Sequence, residues 1–175
     1  AIIKKAIVER LAGHYGISWF TEEGPLYRVR FRILKDKVSV MVDTSGPGLH
    51  KRGYRPASNQ APMKETLAAA LVQLARVRPD GHFIDPFCGS GTLLIEAALT
   101  ARRIAPGLRR RFTAESWAGS DRALWKQERE QAKALILPGE GFSAEGFDID
   151  PAAVALTLEN AQRAGVGAQV RAQQR

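Results

Sequence analysis

The chain has 175 residues, 45% of them hydrophobic and 25% charged, with a formal net charge of +8 at pH 7. That apolar content supports a folded core and excludes wholesale disorder, and no apolar run approaches the roughly 18 residues of a membrane span. Cys88 is the single cysteine, which excludes an internal disulfide and a cysteine-cluster metal site, so no metal is expected and a cytoplasmic location is the default.

In chain order, "AIIKKAIVERL" reads as an amphipathic helix with charges throughout rather than a secretory signal. Its apolar positions 3, 7, 8 and 11 predict a helix from Ile3 to Tyr15, ended near Gly13 or Gly16. "LYRVRFRIL" (26–34) alternates strictly, with Tyr27, Val29, Phe31 and Ile33 on one face and Arg28, Arg30 and Arg32 on the other. "KDK" makes a turn and "VSVMVD" (38–43) alternates again, so a β-hairpin with one apolar and one basic or polar face is expected. "TSGPGLHKRGYRPASNQAP" (44–62) is rich in Gly, Pro and Ser and reads as a linker between two units. Pro62 suits the first turn of a helix that runs to Val77. "RPDG" is a turn, "HFIDPF" a short buried strand, and a helix is expected from Thr92 to Arg103. A basic segment with aromatics follows, "IAPGLRRRFTAESWAG", then a helix from about Arg122 to Leu137. A second short strand spans 143–150, a helix from Pro151 to Ala164 is stopped by Gly165, and residues 168–172 begin a third strand. Strand, glycine loop, helix, strand, helix is the opening of an α/β, Rossmann-like, doubly wound sheet, whose ligands sit at the carboxyl ends of the strands.

The charge is unevenly placed. Residues 1–61 hold 11 Lys/Arg against 5 Asp/Glu, and residues 100–143 hold 9 against 5, whereas 62–99 and 144–175 each hold 3 against 4. Near-neutral loop segments flanked by basic ones fit a small-molecule site beside a polyanion-binding surface. A solvated basic sheet face is the plainer reading of the arginine row.

"DPFCGSGT" (85–92) lacks the lysine of a P-loop and the third glycine of a nicotinamide or flavin fingerprint. Asp85 precedes the loop at the end of the strand, where it would repel a pyrophosphate but suits a cationic ligand. S-adenosylmethionine, with its sulfonium and ammonium groups and no phosphate, is such a ligand. Asp148 ends the second strand, where a carboxylate can accept hydrogen bonds from both ribose hydroxyls. Ile149 could pack on the adenine face, and Asp150 before Pro151 reads as a helix N-cap. Cys88 has no histidine partner nearby in sequence and reads as a small loop residue.

"DPFCGSGTLLIEAA", "GFDID" with "NAQRAGV", and "DTSGPGLHKRGYR" with "APMKETLAAALV" resemble the bacterial 23S rRNA guanine-N2-methyltransferases that carry a THUMP domain. "APGLRRRFTAESWAG" resembles the insert of that family, which accounts for the long interval between Asp85 and Asp148. The resemblance implies that residues 1–50 are the C-terminal part of a THUMP-like RNA-binding domain, 51–61 a linker, and 62–175 the N-terminal half of a class I methyltransferase domain. Asp85, Pro86, Phe87, Cys88, Gly89, Ser90, Gly91 and Thr92 match the cofactor loop, and Asp148 the ribose-binding acid. Pro62 and Met63 match the segment near the cofactor's methionine end, and Glu65 and Thr66 begin the helix covering that side. The family's N/D-P-P-F/Y motif, which engages the target amine and base, has no counterpart, since the 175 residues contain no Pro-Pro pair. The chain is therefore expected to be an internal segment of a longer enzyme that does not methylate RNA by itself. Arg28, Arg30, Arg32, Lys51, Arg52, Arg109, Arg110 and Arg111 are the candidates for RNA phosphate contacts. The alternatives are a tRNA guanosine or DNA adenine methyltransferase, a non-catalytic RNA-binding module, and a nicotinamide-dependent oxidoreductase.

Overall fold

The computed structural model describes residues 2–55 and 63–175. It opens with α1 (Ile2–Tyr15), followed by an antiparallel hairpin of β1 (Arg28–Leu34) and β2 (Lys37–Asp43). Phe31 faces Val40 and Ile33 faces Val38 across the ladder, as the alternation predicts. The two turn residues Lys35 and Asp36 both have positive φ, 48° and 58°. That left-handed pair makes the tight connection whose twist matches the flanking strands. The hairpin's apolar face stays open: Val29, Phe31, Ile33, Val38, Val40 and Val42 are all exposed, and α1 buries none of its residues.

The second unit is layered. α2 (Glu65–Leu74) packs on α3 (Thr92–Ala101), and α3 in turn packs on a parallel sheet of β3 (His82–Asp85), β4 (Ser143–Asp148) and β5 (Val170–Gln174) in the order β3-β4-β5. α5 (Pro151–Ala164) lies against β4 and β5 and touches α3. Eight of the ten α3 residues are buried, among them Leu94, Ile95, Ala97, Ala98 and Leu99, because helices and sheet cover it on most sides. An all-round apolar helix of this kind belongs in a core. α5 has Asp150 as N-cap, its side chain accepting from Ala152 N at 2.8 Å, Pro151 in the first turn, and Gly165 at φ 75° as its stop.

Several boundaries differ from expectation. The helix assigned to begin at Pro62 starts at Glu65, and Pro62 lies outside the described residues. Met63 and Lys64 are not helical: Lys64 caps α2 with extended backbone, ψ 136°, and Met63 O accepts from Arg55 Nη1 at 3.0 Å. α2 ends at Leu74 rather than Val77, with Ala75 as its cap. α3 ends at Ala101, not Arg103, α4 (Arg122–Ala134) at Ala134, not Leu137, and the third strand spans Val170–Gln174. Helix-end residues contribute little to a periodic pattern, so these shifts reflect capping rather than packing.

The basic segment between α3 and α4 folds as a compact insert around a single 3-10 turn, Thr113–Ser116. It is stitched to the N-terminal unit. Trp117 Nε1 donates to Leu26 O at 3.0 Å, the Trp117 ring stacks on Tyr27 at 4.9 Å, and Ala114 N donates to Thr44 O at 3.0 Å. Among the described residues, no helix is long and apolar enough to cross a membrane.

Candidate functional site

β3 and β4 run parallel with Asp85 beside Gly146, so both strands deliver their carboxyl ends to one edge of the sheet. The loop after β3 is then pinned to the end of β4. Cys88 N donates to Phe147 O at 2.8 Å, and Gly89 N donates to Asp148 Oδ2 at 2.9 Å. From α5, Thr157 Oγ1 donates to Gly89 O at 2.9 Å and Asn160 Nδ2 donates to Ser90 O at 3.1 Å. Both side chains are fully buried. The loop is thus held by strand and helix before any ligand arrives, which is the preorganisation a binding site requires.

Its two glycines have different reasons to be glycine. Both adopt the left-handed conformation, Gly89 at φ 53° and Gly91 at φ 78°. A Cβ on Gly91 would sit 2.7 Å from Thr157 Cγ2, so the close approach of α5 forbids a side chain there. A Cβ on Gly89 would meet nothing within 4 Å. Packing therefore does not require Gly89 to be bare; the loop leaves open space above its backbone, beside Asp148.

Two carboxylates border that space. Asp85 is 8% exposed, and burial pushes its carboxyl above the usual range. A hydrogen bond from Phe87 N at 3.0 Å works against this, and the nearby charge of Asp148 adds to it. An ionised Asp85 is therefore under-compensated by its surroundings and favours a cation. Asp148 is half-buried; Oδ2 accepts from Gly89 N, and Oδ1 accepts from Asp150 N at 3.0 Å. Each oxygen keeps one lone pair for a further donor, as a vicinal diol needs. Phe87 and Ile149 flank the edge with their side chains in solvent, 87% and 82% exposed. Burial pushes the Cys88 thiol up, which suits a packed loop residue and not a nucleophile. This donor and acceptor set fits S-adenosylmethionine: acids for its cationic end and ribose, apolar walls for its adenine, and no lysine or arginine in the loop to hold a phosphate.

The predicted loop residues Asp85 to Thr92 and Asp148 are brought together. Met63 joins them through Arg55, whose Nη1 donates both to Met63 O and to Thr92 Oγ1 at 2.8 Å. Arg55 also pairs with buried Glu65 at 3.0 Å. Arg55, Glu65, Thr157 and Asn160 position the loop, and sequence reasoning did not assign them that task. The available signal was a polar residue on the buried face of a helix, since Thr157 and Asn160 share that face of α5 with Ala153, Ala161 and Ala164.

The eight basic candidates separate by environment. Arg28, Arg32, Lys51, Arg109 and Arg111 are exposed, as is Arg30, which pairs with Asp43 at 3.0 Å. Arg109 also donates to Arg163 O. Arg52 pairs with Glu96 across a buried gap, its side chain 10% exposed, while Tyr54 Oη donates to Glu96 Oε1 at 3.0 Å. Arg110 is buried, and its guanidinium donates to the carbonyls of Ser45, Pro47 and Gly48. These two arginines tie the 44–55 segment to the body of the protein. The part of the expected linker up to Arg55 is accordingly packed, whereas residues 56–61 lie outside the described region.

Comparison with known proteins agrees with this architecture. YpsC of Bacillus subtilis (strain 168), provisionally named an RNA methyltransferase, is 46% identical over 168 residues, covering 95% of this chain and 44% of YpsC. The ribosomal RNA large subunit methyltransferase K/L of Vibrio parahaemolyticus is 45% identical over 152 residues, covering 83% of this chain and 21% of its own. Among solved structures, a predicted N6-adenine-specific DNA methylase from Listeria monocytogenes superposes with a TM-score of 0.93 at 44% identity, covering 99% of this chain and 46% of that one. SMU.472, provisionally described as a methyltransferase and solved in complex with SAH, superposes with a TM-score of 0.90 at 39% identity, covering 98% and 46%. The chain thus spans less than half the length of these proteins. The RMKL-like, methyltransferase domain family (UPF0020) matches residues 52–175, from the first residue of the buried Arg52–Glu96 pair to the last strand, and the chain belongs to that family.

Proposed function

We propose that this chain is the cofactor-binding part of an S-adenosylmethionine-dependent RNA methyltransferase whose target is the exocyclic N2 amine of a guanosine in large-subunit rRNA. The observation that carries the cofactor is the open backbone at Gly89 set between Asp85 and Asp148. SMU.472, of the same fold and 39% identical, was solved with SAH. The names of the Bacillus and Vibrio relatives support RNA, and the latter supports large-subunit rRNA. The exposed arginines of β1 agree with a polyanionic substrate.

The cofactor supplies an electrophilic methyl group on a sulfonium. The residues of this chain would position it: Asp85 would face its cationic end, Asp148 would accept from its ribose hydroxyls, and Phe87 and Ile149 would wall its base. Such chemistry rests on alignment and charge environment rather than on a protein nucleophile. In this reading residues 1–50 are the C-terminal part of a THUMP-like RNA-binding domain, and the protein acts in the cytoplasm. Arg28, Arg30, Arg32, Lys51, Arg109 and Arg111 remain the proposed RNA contacts. Since the 175 residues hold no Pro-Pro motif, the chain alone binds cofactor without turning over.

A DNA adenine reading is favoured by the description of the Listeria structure. Two titrations test the proposal. Calorimetry with S-adenosylhomocysteine (SAH) should show one site, and NADH should not compete for it. Competition between single-stranded RNA and DNA of equal length should favour RNA. Preference for DNA would transfer the assignment to the second reading, and absence of SAH binding would overturn both.

A further inference from the structure

The insert and α4 enclose a concavity of about 700 Å3, lined by Arg111, Phe112, Arg122, Trp125, Lys126 and Arg129, with Glu115, Ser116 and Glu130 completing the lining. It is separate from the glycine loop, and of its lining residues only Arg111 is given a role above, as a candidate RNA contact. Its floor is locked. Phe112 and Trp125 stack at 5.6 Å, and Trp125 Nε1 donates to Ser120 Oγ at 2.6 Å. Arg129 donates to both oxygens of Glu115, at 2.7 and 3.1 Å, and to Arg110 O at 3.0 Å. Arg110 itself is fastened to the carbonyls of 45–48, so the floor is continuous with the connection from the N-terminal unit.

The charges do not cancel. Arg129 consumes Glu115, and that hydrogen bond is the main reason the Glu115 carboxyl is held below the usual range. Glu130 is paired with Lys133 at 2.8 Å. Arg111, Arg122 and Lys126 are exposed and form no salt bridge among the described residues, although Glu115 feels the charge of Arg111 and Glu130 that of Lys126. With Glu115 already paired to Arg129 and Glu130 to Lys133, positive charge is left in excess around the concavity, which favours an anion. Each aromatic ring already has partners: Phe112 has Trp125 and the Arg110 guanidinium at 4.9 Å, and Trp125 has Phe112 and Arg129 at 6.0 Å. The rings build the wall and are not presented for base stacking.

We infer that this concavity is a phosphate-binding groove for the RNA substrate, in which Arg111, Arg122 and Lys126 hold consecutive backbone phosphates without regard to base identity. The inference rests on the RNA-methyltransferase reading above and adds α4 to the substrate-contacting surface. Anchoring the insert to both units lets one RNA strand be registered against the cofactor site, because phosphate contacts fix position while base contacts specify sequence.

The test is the double variant Arg122→Ala/Lys126→Ala, whose side chains make no hydrogen bond among the described residues. A charge-matched control, Arg76→Ala/Arg78→Ala, removes two cations that precede β3 and do not line the concavity, one of them the exposed partner of Asp80. Fluorescence anisotropy with a labelled single-stranded RNA of about 15 nucleotides is read across salt concentrations. Losing two phosphate contacts should lower the log–log salt slope by about 1.4, which is about 25-fold in affinity at 0.1 M relative to 1 M salt. The loss should be equal on oligo-U and on mixed sequence, with SAH affinity unchanged. An unchanged slope, or an equal drop in the control, would overturn the groove while leaving the RNA reading intact. Failure of the parent chain to bind RNA at low salt, with SAH still bound, would overturn the RNA reading itself.

Discussion

Replacing each loop glycine by alanine separates what the fold needs from what the ligand needs. At Gly91 the added Cβ is forced into the left-handed region, at about 1–2 kcal/mol, and into a 2.7 Å clash with buried Thr157, an overpacking penalty of about 1–3 kcal/mol. The sum, about 3 kcal/mol, should lower Tm by about 6–12 °C for a chain of this size. At Gly89 the backbone term applies but the clash does not, so Gly89→Ala should lose only about 1–2 kcal/mol and about 2–8 °C. Its methyl group, however, points into the space assigned to the cofactor. SAH affinity should fall at least about 100-fold, equivalent to about 2.7 kcal/mol. Denaturant unfolding and calorimetry on the same preparations check both quantities. The order of the variants should invert between the two assays. Gly89→Ala binding SAH as tightly as the parent would refute the placement of the ligand over this backbone, and a fully stable Gly91→Ala would refute the packing argument.

Other substitutions probe the carboxylates and the buried network. Asp148→Ala should weaken SAH by at least about 30-fold, beyond what its modest destabilisation explains, and Asp148→Asn by less; calorimetry showing unchanged affinity would remove the ribose assignment. For Asp85, burial raises the folded carboxyl above its unfolded value, so the folded state holds its proton more tightly and stability falls as pH rises through the raised value. Asp85→Asn should therefore melt at or above the parent at neutral pH, converge with it in acid, and bind SAH more weakly. A melting temperature well below the parent at neutral pH would contradict this. Glu96→Ala strips buried Arg52 and Tyr54 of their acceptor and should destabilise the chain by about 3 kcal/mol, whereas a surface pair would lose under about 1 kcal/mol. Thermal unfolding distinguishes the two.

Local pattern carried the elements of this protein. Strict alternation in 26–34 and 38–43 specified the hairpin, and Asp150–Pro151 with Gly165 marked both ends of α5, because turn and cap chemistry is written in adjacent residues. The strand–glycine loop–helix unit was equally legible, since its acid, glycines and flanking elements all lie between His82 and Ala101. The assignments that tertiary structure decided concern residues whose partners are distant in sequence. Arg52 and Arg110 look like any surface arginine in a basic stretch, yet one meets Glu96 and the other folds back on carbonyls of 45–48. The difference between Gly89 and Gly91 likewise depends on Thr157, brought in by a parallel crossover that places α5 over the loop. Sequence periodicity records which face of an element is apolar; it does not record which distant group will meet a given side chain. Burial, and hence whether a charge serves the fold or a ligand, was settled only when the chain closed on itself.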